Sequence, residues 1–199
     1  MDHGPSQPIH LIPEPRIVVV GVSGCGKTTT ARRLSRTLSI PHIELDALHW
    51  LPDWQMMETL AFRQRVDQAL SGPTWVTDGN YSKARDLIWA RATTLVWLDY
   101  PLPLILWQLF NRTLRRVITR EELWNGNRET LRGALFSKDS LFLWALHSYP
   151  RQRKAYPGYF ARPENAHLQV IHLRSRRDTN RWLHCLEGQA RPVNSPKQI

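Results

Sequence analysis

The sequence is poor in cysteine and has no long apolar run. Its 199 residues include two cysteines, Cys25 and Cys185, too few for the disulfide framework of a small secreted domain. We therefore expect a reducing, cytoplasmic location. The longest apolar stretch, PLPLILWQLF, is too short to cross a bilayer, and the N-terminal residues lack the basic and apolar regions of a secretory signal. The sequence therefore predicts no membrane partner.

Acidic residues are also scarce, and this deficit is confined to one half of the chain. The formal net charge is +10, but residues 1–111 are balanced, whereas residues 112–154 carry +6 and residues 155–199 carry +4. A basic second half suits a polyphosphate or a nucleic acid equally well, and a solvated basic face would look the same. Charge alone leaves these three alternatives open.

Apolar runs of strand length alternate with segments of helical period along residues 16–188. This alternation predicts one α/β domain with a parallel sheet that is covered by helices on both sides. The proline-rich residues 1–15 and the polar residues 189–199 are expected to form a flexible leader and tail. Strands are predicted at 16–20, 41–45, 74–79, 93–101 and 167–175, and helices at 27–38, 57–70, 82–92, 102–119, 140–150 and 176–188.

The stretch GVSGCGKT directly follows the first strand and matches the pattern G-x-x-x-x-G-K-[ST] at residues 21–28. Glycines let backbone N–H groups point inward around anionic oxygens, and the start of the next helix adds its positive end. Lys27 then reaches the β- and γ-phosphates, and the Thr28 hydroxyl is placed to bind Mg²⁺. Cys25 is either a small residue that fills the loop or an oxidation-sensitive thiol at a helix start. The pattern predicts binding of ATP with Mg²⁺ by Gly21, Ser23, Gly24, Cys25, Gly26, Lys27, Thr28 and Thr29.

Acidic residues follow three of the other predicted strands. Asp46, Asp78 and Asp99 come where the second, third and fourth strands end. Ligands of open α/β sheets lie beyond the carboxyl ends of the strands, so these carboxylates are site candidates, although each could also be a turn or cap residue. Arg112, Arg116 and Arg120 recur every four residues and are expected to line one helix face, for phosphate or simply for solvent.

Together with GVSGCGKT, the segments HIELDALHW, WVTDGNYS, LVWLDYP and GNRE resemble the P-loop kinases of the adenylate kinase-like group, and more narrowly the DNA topology modulation protein-like subgroup. The resemblance covers most of residues 16–187. It implies a three-layer P-loop NTPase fold with a five-stranded parallel sheet in the order 2-3-1-4-5. It also implies an acceptor-binding region at about 46–72 and a helical, arginine-rich lid at about 119–147.

The resemblance also implies roles for single residues. Asp78 matches the acidic residue that orients Mg²⁺ or its water, with Thr28 as the other metal-site residue, and Gly79 matches the glycine that lets the backbone approach the acceptor. The segment 173–177, which includes Arg174, matches the loop beside the donor adenine, and Arg112 also belongs to the donor site. The implied catalytic residues are Lys27, Asp46 and the lid arginines Arg112 and Arg116.

The residues predicted for the acceptor region favour two different kinds of acceptor. A carboxylate at Asp46 would repel a phosphate but can accept or align the proton of a hydroxyl, so it favours a hydroxyl acceptor. Arg63 could instead hold a carboxylate or phosphate of the acceptor. Both fit a small anionic alcohol or a nucleotide end with a free hydroxyl. Trp50 and Trp54 either stack on a base, close the site against water, or pack under a flap. The expected acceptor-binding residues are Asp46, His49, Trp50, Arg63, Gly79, Asn80 and Tyr81.

Two classes of function follow. The first is an ATP-dependent phosphotransferase that moves the γ-phosphate to a hydroxyl of a small nucleotide-like or anionic metabolite. The second is a nucleic-acid-associated regulatory ATPase, and an enzyme acting on a nucleic-acid end would merge the two. Nucleic acid is the secondary partner because the basic residues alternate with the lid pattern and the sequence shows no helix-turn-helix, zinc-finger or RNA-binding signature. The protein is expected to be a monomer or a homodimer, and the role of residues 125–129 is left open.

Overall fold

The computed structural model describes residues 13–127 and 140–190 of the chain. Its strands form one parallel sheet in the order β2-β3-β1-β4-β5. The predicted α/β class, the five-stranded parallel sheet and its order 2-3-1-4-5 are therefore confirmed. Along the chain the strands are β1 (Arg16–Gly21), β2 (His42–Glu44), β3 (Trp75–Asp78), β4 (Thr94–Leu98) and β5 (Gln169–Leu173).

Helices connect successive strands and cover both faces of the sheet. The first of them begins directly after Gly26, whose φ of 93° only glycine adopts without strain, and ends at Leu38, where the capping residue Ser39 is also left-handed. In the part of the chain that the structure describes, every helix is too short or too polar to cross a bilayer. The helices are α1 (Lys27–Leu38), α2 (Leu45–His49), α3 (Thr59–Ala69), α4 (Arg85–Arg91), α5 (Leu102–Ile118), α6 (Leu141–Phe160) and α7 (Arg176–Ala190).

The central strand β1 joins two apolar cores. Ile17 and Val19 lie in one core with residues of α1, α5 and α7, whereas Val18 and Val20 lie in the other with residues of α2, α3 and α4. Burying one such side chain fully is worth about 1.5–3 kcal/mol. The alternation along β1 therefore fixes helices on both sides of the sheet and brings the carboxyl ends of the strands to one edge.

Several helices differ from the sequence prediction, and α3 and α4 are each shorter than predicted. Asp46 lies inside the short helix α2, because Leu45 is buried against α3 and turns the chain immediately after β2. Helix α6 was expected to end at Pro150 but continues through Pro150 and Pro157 to Phe160. Each internal proline costs a helix about 3 kcal/mol, and the aromatic packing of Tyr156 and Phe160 against Trp97, at 5.6 Å between ring centroids, favours the continued helix against that cost. Helix α7 likewise passes the predicted end at Gly188.

The predicted lid at 119–147 lies partly outside the described residues. The structure describes the end of α5, a single 3-10 turn at Trp124–Gly126 and the start of α6 at Leu141. Residues 128–139, which include Arg128 and Glu129 of the NGNRE stretch, are outside it, as are residues 1–12 and 191–199. The leader, tail and lid boundaries stay predictions.

Candidate active site

The loop between β1 and α1 is pressed against the neighbouring elements. Gly21, Gly24 and Gly26 have φ angles of 147°, 88° and 93°. A Cβ on Gly21 would lie 2.5 Å from the carbonyl oxygen of Leu98, and one on Gly24 would lie 3.0 Å from Cβ of Leu109. Both glycines are therefore required by close approach as well as by backbone conformation. The loop wraps tightly at the edge of the sheet, as a phosphate cradle requires.

Positive charge is concentrated at this loop. The Lys27 ammonium donates to the carbonyl oxygens of Gly21 (2.9 Å) and Val22 (3.2 Å) and so folds back over the loop. Within the described residues, the start of α1 has no side-chain cap and no acidic residue in its first turn. Its N–H groups and the positive end of the helix dipole are therefore directed at whatever the loop holds, which favours an anion.

Asp78 lies next to Thr28, as the sequence predicts for a metal site. The Thr28 hydroxyl donates to Asp78 Oδ2 at 2.7 Å, and Asp78 is buried at the end of β3. Nε2 of His42 lies 2.7 Å from the other carboxylate oxygen. A hydroxyl and a carboxylate are ligands that suit Mg²⁺. The sequence analysis missed His42. The feature that could have indicated it is the pairing of β2 with β3, in which Glu44, two residues after His42, lies opposite Asp78.

Asn80 contacts the cradle in this structure. Its Oδ1 accepts the N–H of Gly21 at 3.2 Å and the Tyr156 hydroxyl at 3.2 Å, and its amide N–H donates to the Gly21 carbonyl. Asn80 thus both accepts from and donates to the main chain of Gly21, which holds the backbone in place where the chain leaves β1. An acceptor-binding role for Asn80 stays a prediction.

Asp46 and Tyr81 form the polar centre of the predicted acceptor region. The Tyr81 hydroxyl donates to Asp46 Oδ1 at 2.5 Å. Burial raises the pKa of Asp46, while the Tyr81 hydroxyl and the positive charge of Lys27 oppose that rise and the charges of Asp78 and Glu44 add to it. Burial also raises the pKa of Tyr81, with the Asp46 charge adding to the effect, so its proton stays on the phenol. A half-buried carboxylate with a raised pKa therefore lies beside the cradle.

Aromatic rings surround this centre. His49 is buried, and its ring centroid lies 5.1 Å from Trp50, 4.9 Å from Phe62 and 4.6 Å from Tyr81. Burial lowers the pKa of His49, and the charge of Lys83 lowers it further. Its Nδ1 has no hydrogen-bond partner among the described residues. The predicted acceptor residues His49, Trp50 and Tyr81 are thus brought together as an uncharged wall.

Residues 124–127 fasten the acceptor segment to the chain beyond α5. The Trp124 indole N–H donates to Glu44 Oε2 at 2.9 Å. The Asn125 side-chain amide donates to the Trp50 carbonyl. The Asn127 side-chain N–H donates to the Leu51 carbonyl at 2.9 Å, and Asn127 Oδ1 accepts the Trp54 N–H at 2.8 Å. We call residues 124–127 the strap. The sequence analysis left their role open, because these contacts join positions more than seventy residues apart.

The arginines divide into two groups. Arg63, on α3, forms a two-pronged ion pair with Asp86 on α4 at 2.7 and 2.8 Å and donates to the Lys83 carbonyl at 2.7 Å. Arg112 and Arg116 are partly buried near the end of α5. The expectation of one helix face carrying Arg120 as well is wrong, because α5 ends at Ile118 and Arg120 has a φ of 50°. Contacts of Arg112 and Arg116 with phosphate stay predictions.

A cavity of about 300 Å³ opens beside the cradle, with Cys25 and Gly26 among its lining residues. Arg174 is exposed and does not line the cavity. Arg176, which also belongs to the predicted adenine loop, does line it. Cys25 is buried in its wall, and burial raises the pKa of its thiol, which favours the loop-filling interpretation over a reactive thiol. The sequence analysis assigned Arg112 of α5 to the donor site but missed Trp107, Gln108 and Asn111 of the same helix. The lining residues include Gly26, Thr29, Trp107, Gln108, Asn111, Arg176, Thr179 and Asn180.

Comparison with known proteins supports the fold. No protein-family model and no curated protein sequence matches the chain. A gluconokinase from Sinorhizobium meliloti 1021 superposes with a TM-score of 0.50 and 17% identity, covering 89% of this chain and 95% of its own. A shikimate kinase from Acinetobacter baumannii in complex with shikimate superposes with a TM-score of 0.53 and 16% identity, covering 93% and 97%. The narrower resemblance to the topology modulation protein-like subgroup stays a prediction. The chain therefore has the fold of P-loop kinases.

Proposed function

We propose that this protein is a phosphotransferase that moves the γ-phosphoryl group of MgATP to a hydroxyl of a small acceptor. The observation that carries the proposal is the position of Asp46. Its carboxylate, held by Tyr81, lies within electrostatic range of Lys27 in the cradle. This position supports a role for Asp46 as the proton acceptor beside the proposed phosphate-binding loop, which transfer to a hydroxyl requires.

The donor side consists of the loop, Lys27 and the cavity. The backbone N–H groups of the loop and the start of α1 bind the phosphates, and Lys27 exchanges its carbonyl partners for phosphate oxygens. The cavity beside Gly26, with Trp107 at its edge, has the size and the mixed polar and apolar lining that suit a nucleobase. Thr28 and Asp78 would hold Mg²⁺, which neutralises the phosphate charge when bound.

On the acceptor side, Asp46 aligns the hydroxyl and takes its proton. The hydroxyl oxygen forms a bond to the γ-phosphorus, the bond from that phosphorus to the β–γ bridging oxygen breaks, and ADP leaves with that oxygen. The proton passes to the Asp46 carboxylate, whose pKa is raised by burial and which is therefore a better base than an exposed aspartate. Most of the rate enhancement in such a site comes from positioning and charge stabilisation.

The structural neighbours support a small hydroxylated acceptor. One is described as a gluconokinase, and the other is a kinase bound to shikimate. Gluconate and shikimate both carry several hydroxyl groups, and the placement of Asp46 suits such compounds.

The test is a screen for acceptor-stimulated ADP release. We expect one class of hydroxyl compound to accelerate ADP release strongly over the basal rate. Asp46→Asn should lower that rate by about 10²-fold or more while ATP affinity stays within about twofold. Lys27→Ala should remove ATP binding in magnesium buffer while the far-ultraviolet circular dichroism stays unchanged. Normal ATP affinity in Lys27→Ala would show that the loop is not a phosphate cradle.

A nucleic-acid-associated regulatory ATPase, as the topology modulation protein-like resemblance suggests, is the second candidate. The observation that favours it is the charge of the second half, +6 over residues 112–154 and +4 over residues 155–199. Binding to a random DNA duplex that weakens by about 10³-fold or more between about 50 and 200 mM salt would favour this candidate. It would also require ATP hydrolysis that DNA, rather than a small hydroxyl compound, accelerates.

A further inference from the structure

The carboxylate proposed for the metal site is held by a histidine from the neighbouring strand. Nε2 of His42, on β2, lies 2.7 Å from Asp78 Oδ1, and the Thr28 hydroxyl donates to Asp78 Oδ2 at 2.7 Å. A carboxylate that binds a metal ion is ionised and only accepts hydrogen bonds, so Nε2 is the donor. The side chains of His42 and Asp78 are 11% and 5% exposed, which leaves little room for water to replace this bond. Asp78 is therefore held on one oxygen from α1 and on the other from β2.

The register between β2 and β3 makes this support necessary. Glu44 lies directly opposite Asp78 in the parallel pair, and His42 is two residues before Glu44 on the same strand. Alternate residues of a strand point to the same face, so the three side chains share one face of the sheet. Like charges that lie opposite each other on neighbouring strands repel. The Asp78 carboxylate thus faces a second carboxylate and needs a donor to keep its orientation.

Glu44 has donors of its own. Arg32 of α1 bonds Glu44 Oε1 at 2.5 Å, and the Trp124 indole N–H donates to Glu44 Oε2 at 2.9 Å. Nδ1 of His42 lies 4.0 Å from Glu44 Oε1, which is too far for a hydrogen bond. Of the two carboxylates, His42 therefore bonds Asp78 alone.

We propose that His42 is a positioning residue for the magnesium site and fixes the orientation in which Asp78 faces the metal ion or its bound water. Thr28 also contacts this carboxylate, but its hydroxyl is itself a proposed ligand, whereas His42 holds Asp78 from outside the ligand set. Hydrogen-bond partners of metal ligands change metal affinity about 10- to 100-fold when they are removed. The proposal rests on the metal site of the phosphotransferase function proposed above.

The test measures how much magnesium tightens nucleotide binding. Calorimetry gives the Kd of a non-hydrolysable ATP analogue in EDTA and in magnesium buffer, and the ratio of these two values is the magnesium enhancement. His42→Asn places its amide near the position of Nδ1, too short to reach Asp78, and should reduce the enhancement by about tenfold or more. His42→Gln extends its amide to the position of Nε2 and should stay close to the wild type. The Kd in EDTA should stay unchanged in both variants, because a role in metal binding does not affect it.

His172→Asn is the matched control. Nε2 of His172, on β5, lies 3.0 Å from Oδ2 of the buried Asp99, so the same kind of pair occurs at the opposite edge of the sheet. Its loss should leave the magnesium enhancement unchanged. His42→Phe keeps a ring but has no donor, and it takes the place of His42→Asn if circular dichroism shows that the asparagine variant does not fold.

The outcomes separate this proposal from the function on which it rests. An unchanged enhancement in His42→Asn, or an equal loss in His42→Asn and His42→Gln, would overturn the role of His42 while the phosphotransferase proposal stands. A weakening of nucleotide binding that is the same with and without magnesium would also overturn it, because the role would then be structural. Absence of any enhancement in the wild type would instead remove the metal site of Thr28 and Asp78, and this proposal with it.

Discussion

Replacing Tyr81 with phenylalanine tests the electrostatic design of the acceptor site. The substitution removes the hydroxyl that donates to Asp46 Oδ1 at 2.5 Å and leaves the ring that packs on His49. A hydrogen bond to a charged group contributes about 1.5–3 kcal/mol. Since 1.36 kcal/mol corresponds to one pKa unit, loss of this bond should raise the pKa of Asp46 by about one to two units above its already raised wild-type value.

The measurement does not depend on the acceptor. Carbon-13 labelling of the aspartate carboxyl groups allows the pKa of Asp46 to be read from an NMR titration, with Asp46→Asn used to assign the signal. Tyr100→Phe is the matched control, because the Tyr100 hydroxyl is also buried but bonds the neutral Thr179 at 2.6 Å. It should leave the Asp46 signal unchanged. Once an acceptor is known, the acidic limb of the pH–rate profile of Tyr81→Phe should shift upward by the same amount.

The direction in which the pKa of Asp46 changes in Tyr81→Phe decides whether the two side chains are hydrogen-bonded. A donated hydrogen bond stabilises the charged carboxylate and lowers its pKa, so removal of the donor can only raise it if the bond exists as described. A pKa of Asp46 that stays constant or falls in Tyr81→Phe would show that the two side chains are not bonded. The proposed alignment of the acceptor by Asp46 would then lose its support.

Three further predictions concern stability and reactivity. Gly21→Ala should lower the free energy of unfolding by about 3 kcal/mol, because its Cβ would lie 2.5 Å from a carbonyl oxygen of β4. The control is Gly158→Ala, whose Cβ would have nothing within 4 Å and which should be neutral or stabilising. Urea unfolding measures both. The Arg63 partner holds the pKa of Asp86 at about 2, below its ordinary 3.8, so the pair stabilises the fold above pH 4 and this small contribution is lost as the pH falls through about 2. Asp86→Asn should therefore be less stable than wild type at pH 6, and the difference should shrink towards zero below pH 2. In the native protein, Cys185 is exposed and Cys25 is buried with a raised pKa, so a thiol reagent should modify Cys185 at least about tenfold faster; equal rates would contradict the described burial.

The sequence was sufficient where the determinants are local. The helix α1 occupies the predicted residues 27–38, and β1 extends the predicted strand only by Gly21. Both follow from short-range rules, namely a β-branched run before a glycine loop and apolar residues at helical spacing after it. The predicted neighbours Thr28 and Asp78 do meet, because β1 and β3 are adjacent and parallel in a sheet whose order the family resemblance implied.

The sequence was insufficient where a contact joins distant positions. Nothing in the local pattern around Arg63 indicates Asp86, and nothing around residues 124–127 indicates the backbone of residues 50–54. The end of α6 was missed because a proline rule is local, whereas the packing of Tyr156 that overrides it involves β4 and α4. The sequence therefore predicts the charge of a single residue, but not the partner that determines whether that residue is available to bind a ligand.

The strap has a consequence for how this protein can change. Asn125 and Asn127 bond main-chain atoms of Trp50, Leu51 and Trp54 and make no described hydrogen bond to their side chains. Substitutions at those three positions would therefore leave this anchorage in place. The side chains of this segment can vary without loss of the main-chain bonds, whereas Asn125 and Asn127 would be under a much stricter constraint.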